Sequence, residues 1–212
     1  MRKLPIALQV YSIRDEAEKD FAGTMAKVKE MGYDGVELAG TYGHTFQEIK
    51  EILADVGLIP ISAHVPYGQL MEDLENTVSN YILLGCKYIA IPYLVEEDRP
   101  EAGNFDKVVD NIRKIGEHCK ERGIKLLYHN HDFEFFKMED GRYALDYLYD
   151  NVSQDLLGTE LDLCWVKVSG EEPVQYLKKY AGRAPVVHIK DYVGSKSDNM
   201  YQLIGIESEE ND

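Results

Sequence analysis

Seven short apolar runs recur along the chain, and six of them stop at a polar or charged side chain. They lie at 6–11, 35–38, 59–64, 88–92, 124–127, 159–165 and 186–191, and the residues at or just past the strand ends are Gln9, Glu37, His64, Pro92, His129, Asp162 and His188. Successive ends are 28, 27, 28, 37, 33 and 26 positions apart, the length taken up by one strand, a crossover helix and two short loops. Six such intervals predict a β/α barrel rather than a short open sheet, with the strand ends opening onto one rim.

Between the runs the apolar spacing changes to that of amphipathic helices. Phe21, Met25, Val28 and Met31 precede Gly32, and Ile49, Ile52, Leu53 and Val56 sit between a Thr45 and Glu48 capping pattern and Gly57. Leu70, Leu74, Val78 and Tyr81 or Ile82 predict one helix closing near Gly85. Phe105, Val108, Val109, Ile112 and Ile115 predict another, from Asn104 to near Gly123. A short helix is expected at 144–149, and a last one with Pro173 in its first turn runs towards Tyr180.

No linker or low-complexity segment divides the chain, so a single domain over residues 1–212 is expected. A complete (β/α)8 barrel takes about 250 residues and an eighth strand. The acidic tail after Asp191 has too few apolar positions for another unit. The fold class expected is therefore α/β, a TIM (β/α)8-type barrel truncated after its seventh strand.

The bulk numbers exclude several classes. With 44% hydrophobic residues the chain has material for a sizeable core. Its 23 basic and 38 acidic residues give a net charge of -15, which opposes nucleic acid and anionic membrane surfaces as partners. Cys86, Cys119 and Cys164 show neither disulfide nor zinc-ribbon spacing and are expected as buried free thiols. No apolar run is long enough for a bilayer span and the start of the chain lacks the pattern of a secretion signal, so a cytoplasmic location is expected.

The densest chemistry is in the stretch 126–136, LLYHNHDFEFF, where an apolar strand runs directly into His129, His131, Asp132 and Glu134. Asp162 and His188 end two further strands, and with His129 or Glu134 they can meet at the rim. Mixed imidazole and carboxylate donors suit divalent manganese, cobalt, zinc or iron, and magnesium less well as nitrogen ligands are added. The alternative is a hydrogen-bonded rim network without a metal.

Six segments, LQVYSIRDE, GYDGVELAG, SAHVP, YHNHDFEF, LDLCW and VHIKD, resemble those of the xylose isomerase-like TIM-barrel superfamily. This is the sugar phosphate isomerase/epimerase group, which also includes inosose dehydratases and AP endonucleases, and YHNH is similar to the inosose dehydratase branch. The resemblance implies a divalent metal (Mn, Co, Zn or Mg) held by Glu, Asp, His and Glu from strands five to eight. It places Asp162 at the strand-six Asp and His188 at the strand-seven His. Strand five offers His129 or Glu134, and the strand-eight Glu has no counterpart.

By the same resemblance, the metal polarises oxygens of a sugar or cyclitol while an acid/base pair moves a proton through an enediol or enolate. Glu134, His129 and Lys190 are the catalytic candidates. Gln9, Glu37, His64, His131 and Trp165 are candidate substrate contacts, although rim hydrogen bonding or core packing explains such residues too. Lys190 and Asp191 orient His188, bind a substrate oxygen, or form a plain salt bridge.

The function expected is a metal-dependent isomerase or epimerase, with a dehydratase or lyase on a keto-sugar or inosose as the alternative and a non-catalytic sugar-binding barrel as a further one. The endonuclease branch carries an additional histidine soon after the strand-six Asp, where Trp165 stands here. The expected partner is a small-molecule sugar or cyclitol, with no nucleic acid and no membrane, and the resemblance leaves room for a homo-oligomer.

Overall fold

The computed structural model describes residues 4–190. Two compact units account for them: one comprises residues up to Pro92 together with Arg113–Leu127, the other Tyr93–Ile112 and the chain from Tyr128 onward. The tail on which the expectation of a missing eighth strand rests lies outside the described residues.

In the first unit, β1 (Ala7–Gln9), β2 (Gly35–Leu38), β3 (Ile59–His64) and β4 (Tyr88–Ile91) pair in parallel in chain order. Register places Gln9 beside Glu37, and β2 shifts against β3 between Val36 and Glu37. All four residues of β2 are buried, as expected of a parallel strand covered on both faces. Helices Phe21–Glu30, Phe46–Val56 and Leu74–Leu84 bury Phe21, Met25, Val28, Ile49, Leu53, Val78 and Tyr81. The capping box predicted at Thr45 and Glu48 is formed, and Gly57 ends that helix at φ 73°, the left-handed region in which glycine pays no Cβ penalty.

In the second unit, β6 (Leu157–Asp162) pairs in parallel with β7 (Val186–His188), setting Glu160 beside Val186 and Asp162 beside His188. β5 (Lys125–His129) enters this unit at Tyr128 and delivers His129. All six residues of β6 are buried, including both carboxylates. Helices Ala144–Asn151, Leu163–Val168 and Pro173–Lys179 supply the apolar cover with Leu145, Leu148, Val166 and Tyr176.

Several boundaries differ from those read in the sequence, β5 at Lys125–His129 and β7 at Val186–His188 among them, and three have a cause in a side-chain cap. The run at 6–11 is a strand only to Gln9, because the Gln9 side chain accepts the N–H of Tyr11 and turns the backbone into a 3-10 helix, Val10–Ile13. The helix expected from Leu70 to Ile82 is two, Tyr67–Glu72 and Leu74–Leu84. Asp73 lies between them at φ -147° and ψ 78°, outside the helical region, and caps the second by accepting the N–H of Asn76 at 3.2 Å. The run at 159–165 leaves the strand at Asp162, whose Oδ1 accepts the Trp165 N–H at 2.9 Å and starts helix Leu163–Val168.

The three cysteines are free and buried, as expected, and burial pushes the Cys86 and Cys119 thiols up to about 12. Among the described residues no helix is long and apolar enough to cross a membrane.

Candidate functional site

Side chains two apart on a strand share a face, so Glu160 and Asp162 project together from the end of β6. Both are fully buried. Moving a carboxylate out of water costs several kcal/mol unless positive charge or donors replace the lost hydration, so a pair of them needs polar company.

The company is two histidines and a lysine. His129 from β5 sets Nδ1 3.1 Å from Glu160 Oε1 and Nε2 3.8 Å from Asp162 Oδ2. His188 from β7 sets Nε2 3.3 Å from the same Glu160 oxygen and Nδ1 4.0 Å from the same Asp162 oxygen. The two rings lie 4.7 Å apart between centroids. Lys190 Nζ is 3.0 Å from Asp162 Oδ2 and 5.1 Å above the Trp165 ring.

Asn130 fixes the base of this group. Its amide accepts the Asp162 N–H at 2.9 Å and donates to the Asp162 carbonyl at 3.3 Å, in a fully buried position. One side chain thus ties the residue after β5 to the last residue of β6, and Asp162 is held by its backbone as well as by its capping bond to Trp165.

His129, Glu160 and His188 each offer a donor atom within 4.8 Å of the others. Two imidazoles beside buried carboxylates make a nitrogen and oxygen donor set suited to a first-row divalent ion, and the residues present fit such a metal. Of the four residues proposed as metal ligands from sequence, His129, Asp162 and His188 come together here.

Glu134 is placed differently. It is fully buried, its Oε1 accepts the Tyr128 hydroxyl at 2.7 Å and its Oε2 accepts the His131 N–H at 2.8 Å. Burial pushes its carboxyl up to about 8, against the pull of those two donors. Its carboxyl group braces the turn that carries His131, whose ring centroid lies 5.0 Å from His129 and 5.0 Å from Trp165.

Glu160 and Asn130 are the residues that sequence reading passed over. For Glu160 a signal exists, since TELD places two carboxylates at the i, i+2 spacing of one strand face. For Asn130 none does, because an asparagine between two histidines is read as part of a loop.

The remaining candidates lie in the first unit. Gln9 Nε2 donates to Glu37 Oε2 at 2.7 Å, and His64 Nε2 stands 3.3 Å from the same oxygen. Glu37 is 4% exposed, so this three-membered network is what lets its carboxylate sit at the end of β2.

The family model described as xylose isomerase-like TIM barrel matches residues 25–209, most of the chain. The chain belongs to this family. Among curated relatives, an inosose dehydratase of Bacillus cereus (strain AH820) is 25% identical over 193 residues, covering 77% of this chain. The chain spans 61% of the length of that relative. Among solved structures, a sugar phosphate isomerase/epimerase from Parabacteroides distasonis ATCC 8503 is 28% identical with a TM-score of 0.78, over 92% of this chain and 82% of its own. A 3-keto-D-glucoside 4-epimerase from E. coli shares the fold at 19% identity and a TM-score of 0.68, covering 92% of this chain and 84% of its own.

Proposed function

We propose that this chain is the barrel of a metal-dependent isomerase or epimerase that moves a proton next to a carbonyl of a sugar or cyclitol. The supporting observation is the pair of buried carboxylates on β6, Glu160 and Asp162, each faced by both His129 and His188. Carboxylates are buried at this cost where their charge is used.

In this reading His129, Glu160, His188 and Asp162 hold the divalent ion. Once bound, the ion supplies Lewis-acid polarisation of the substrate oxygens, which makes the neighbouring C–H acidic. Asn130 keeps Asp162 in place, and Trp165 gives the sugar an apolar wall.

Lys190 is the residue proposed to move the proton or to hold it at a substrate oxygen. Its side chain is 46% exposed, and its ammonium group sits between Asp162 and the face of Trp165. Glu134 acts by fixing His131. The ligand class is a small uncharged or lightly charged polyol, because the net charge of -15 works against polyanions.

The curated relatives named inosose dehydratases support a second reading, elimination of water from a keto-sugar or inosose at the same site. The two part after the proton is removed: one returns it to carbon, the other expels a hydroxyl. Incubation with keto-sugars and inososes in deuterated water, followed by NMR, tests both. Deuterium entering the recovered sugar supports the isomerase reading, loss of a hydroxyl supports the dehydratase, and neither with any substrate of the two classes contradicts both.

A further inference from the structure

Asp162 is held so that it cannot turn away from its neighbours. Its Oδ1 accepts the Trp165 N–H at 2.9 Å, and Asn130 takes its backbone N–H at 2.9 Å and its carbonyl at 3.3 Å. Oδ2 is then the oxygen turned to the cluster, 3.8 Å from His129 Nε2, 4.0 Å from His188 Nδ1 and 3.0 Å from Lys190 Nζ. The ammonium stands nearest of the three.

An ammonium and a divalent ion compete for that oxygen. Protonated lysine has donors and no lone pair, so it cannot ligate a metal, and it repels one placed beside it. The charges favour exchange over coexistence. As carboxylates, Glu160 and Asp162 bring two negative charges to the fully buried end of β6, and imidazoles are neutral when they ligate. Lys190 offsets one of those charges and a divalent ion offsets both. The two cations together would leave an excess positive charge where salt screens little.

Lys190 is placed to withdraw. Its side chain is 46% exposed while that of Asp162 is wholly buried, so the ammonium reaches Asp162 from the solvent side on a flexible four-carbon stem. It also stands 5.1 Å from the centroid of the Trp165 ring, a second favourable seat beside the first. Leaving Asp162 returns the ammonium to water rather than stranding it in the core.

We infer that Lys190 is a displaceable counter-ion, paired with Asp162 until a divalent ion takes Oδ2 and then released towards the substrate. Metal binding and the availability of Lys190 are thereby coupled, and the ion must be in place before Lys190 can serve a substrate oxygen. The inference rests on the reading of His129, Glu160, Asp162 and His188 as the metal site.

Calorimetric titration of the parent, Lys190→Met and Lys190→Arg with manganese tests the competition. Methionine removes the charge, keeps an unbranched side chain and adds no oxygen donor. Lys190→Met is expected to bind manganese about tenfold tighter than the parent, inside the range of about 5–150-fold found for coupled sites, and Lys190→Arg no tighter than the parent. Brief acetylation of the parent with acetic anhydride, followed by peptide mass spectrometry, reads the movement. Lys190 is expected to react about fivefold faster with manganese than with chelator, at the lower end of that range. Lys179, also 46% exposed and paired with Asp146 at 2.6 Å, should react at one rate in both. The acetylation needs no variant, so it decides the matter even where a substitution prevents folding.

Manganese binding no tighter in Lys190→Met than in the parent, or as tight in Lys190→Arg as in Lys190→Met, would overturn the proposal and leave the metal site standing. So would a Lys190 acetylation rate that ignores manganese in a chain that binds it. Manganese binding by none of the three chains would contradict the metal site itself, and this inference with it.

Discussion

His129 places Nδ1 3.1 Å from the Oε1 of Glu160, a carboxylate with no exposed surface. The pair joins the ends of β5 and β6, and its geometry depends on the neighbouring Asn130, which takes both the N–H and the carbonyl of Asp162. Asn130→Ala removes that clamp on Asp162 without replacing a proposed ligand. Partners that orient ligands typically contribute 10–100-fold to metal affinity, and that is the loss expected in a manganese titration. Leaving the buried Asp162 backbone without its partner should also cost about 1–3 kcal/mol in urea unfolding. A variant equal to the parent in both would refute the clamp.

Lys190 separates binding from chemistry. Its ammonium group is 3.0 Å from Asp162, yet it offers no donor to a metal while protonated. Lys190→Gln is expected to lower proton exchange into substrate by about 10²–10⁴-fold, the range of a positioned acid or base. Stabilisation by manganese should persist. Loss of both together would make Lys190 a structural counter-ion of Asp162.

Glu134 makes stability depend on pH. Its carboxyl is raised by burial from its ordinary value of 4.5 to about 8, so the folded chain keeps a proton that the unfolded chain releases. The stability this gives is complete below about pH 4.5 and is lost as pH rises towards 8, at up to about 1.4 kcal/mol per pH unit. Glu134→Gln keeps one acceptor oxygen for the His131 N–H, turns its amide N–H to the Tyr128 hydroxyl oxygen and cannot ionise. Urea unfolding at pH 5, 7 and 9 should show the variant gaining on the parent as pH rises. A constant difference would mean that Glu134 stays ionised in the fold.

The strand ends were legible because parallel strands buried on both faces read as apolar runs, and the residue that breaks each run marks the rim. His129, Asp162 and His188 were visible on that ground. Glu160 was not, since it lies inside the run TELD and counts as strand until the face it shares with Asp162 is considered. Glu134 stood out by composition, but its partners, the Tyr128 hydroxyl and the His131 N–H, depend on how the turn after β5 folds back. The break at Asp73 was hidden for another reason: Leu70, Leu74 and Val78 keep helical spacing across it, and apolar periodicity does not register a cap.

That cap is itself testable. Asp73 accepts the N–H of Asn76 and also its side-chain amide, at 3.2 and 2.6 Å. Asp73→Ala should cost about 1 kcal/mol in urea unfolding, with manganese binding unchanged. No change in stability would show that helix Leu74–Leu84 is held by its packing alone.

The central claim is that the carboxylates of β6 and the two histidines beside them hold a divalent metal. Thermal unfolding of the chain with manganese or with chelator, beside Glu160→Gln, tests it most directly. At a hundredfold excess over the dissociation constant, binding to the folded state alone is worth about 2.7 kcal/mol. The account predicts a manganese-dependent rise in melting temperature that chelator reverses and that Glu160→Gln abolishes. A cooperative transition that ignores manganese, or a rise that survives unchanged in Glu160→Gln, would contradict it.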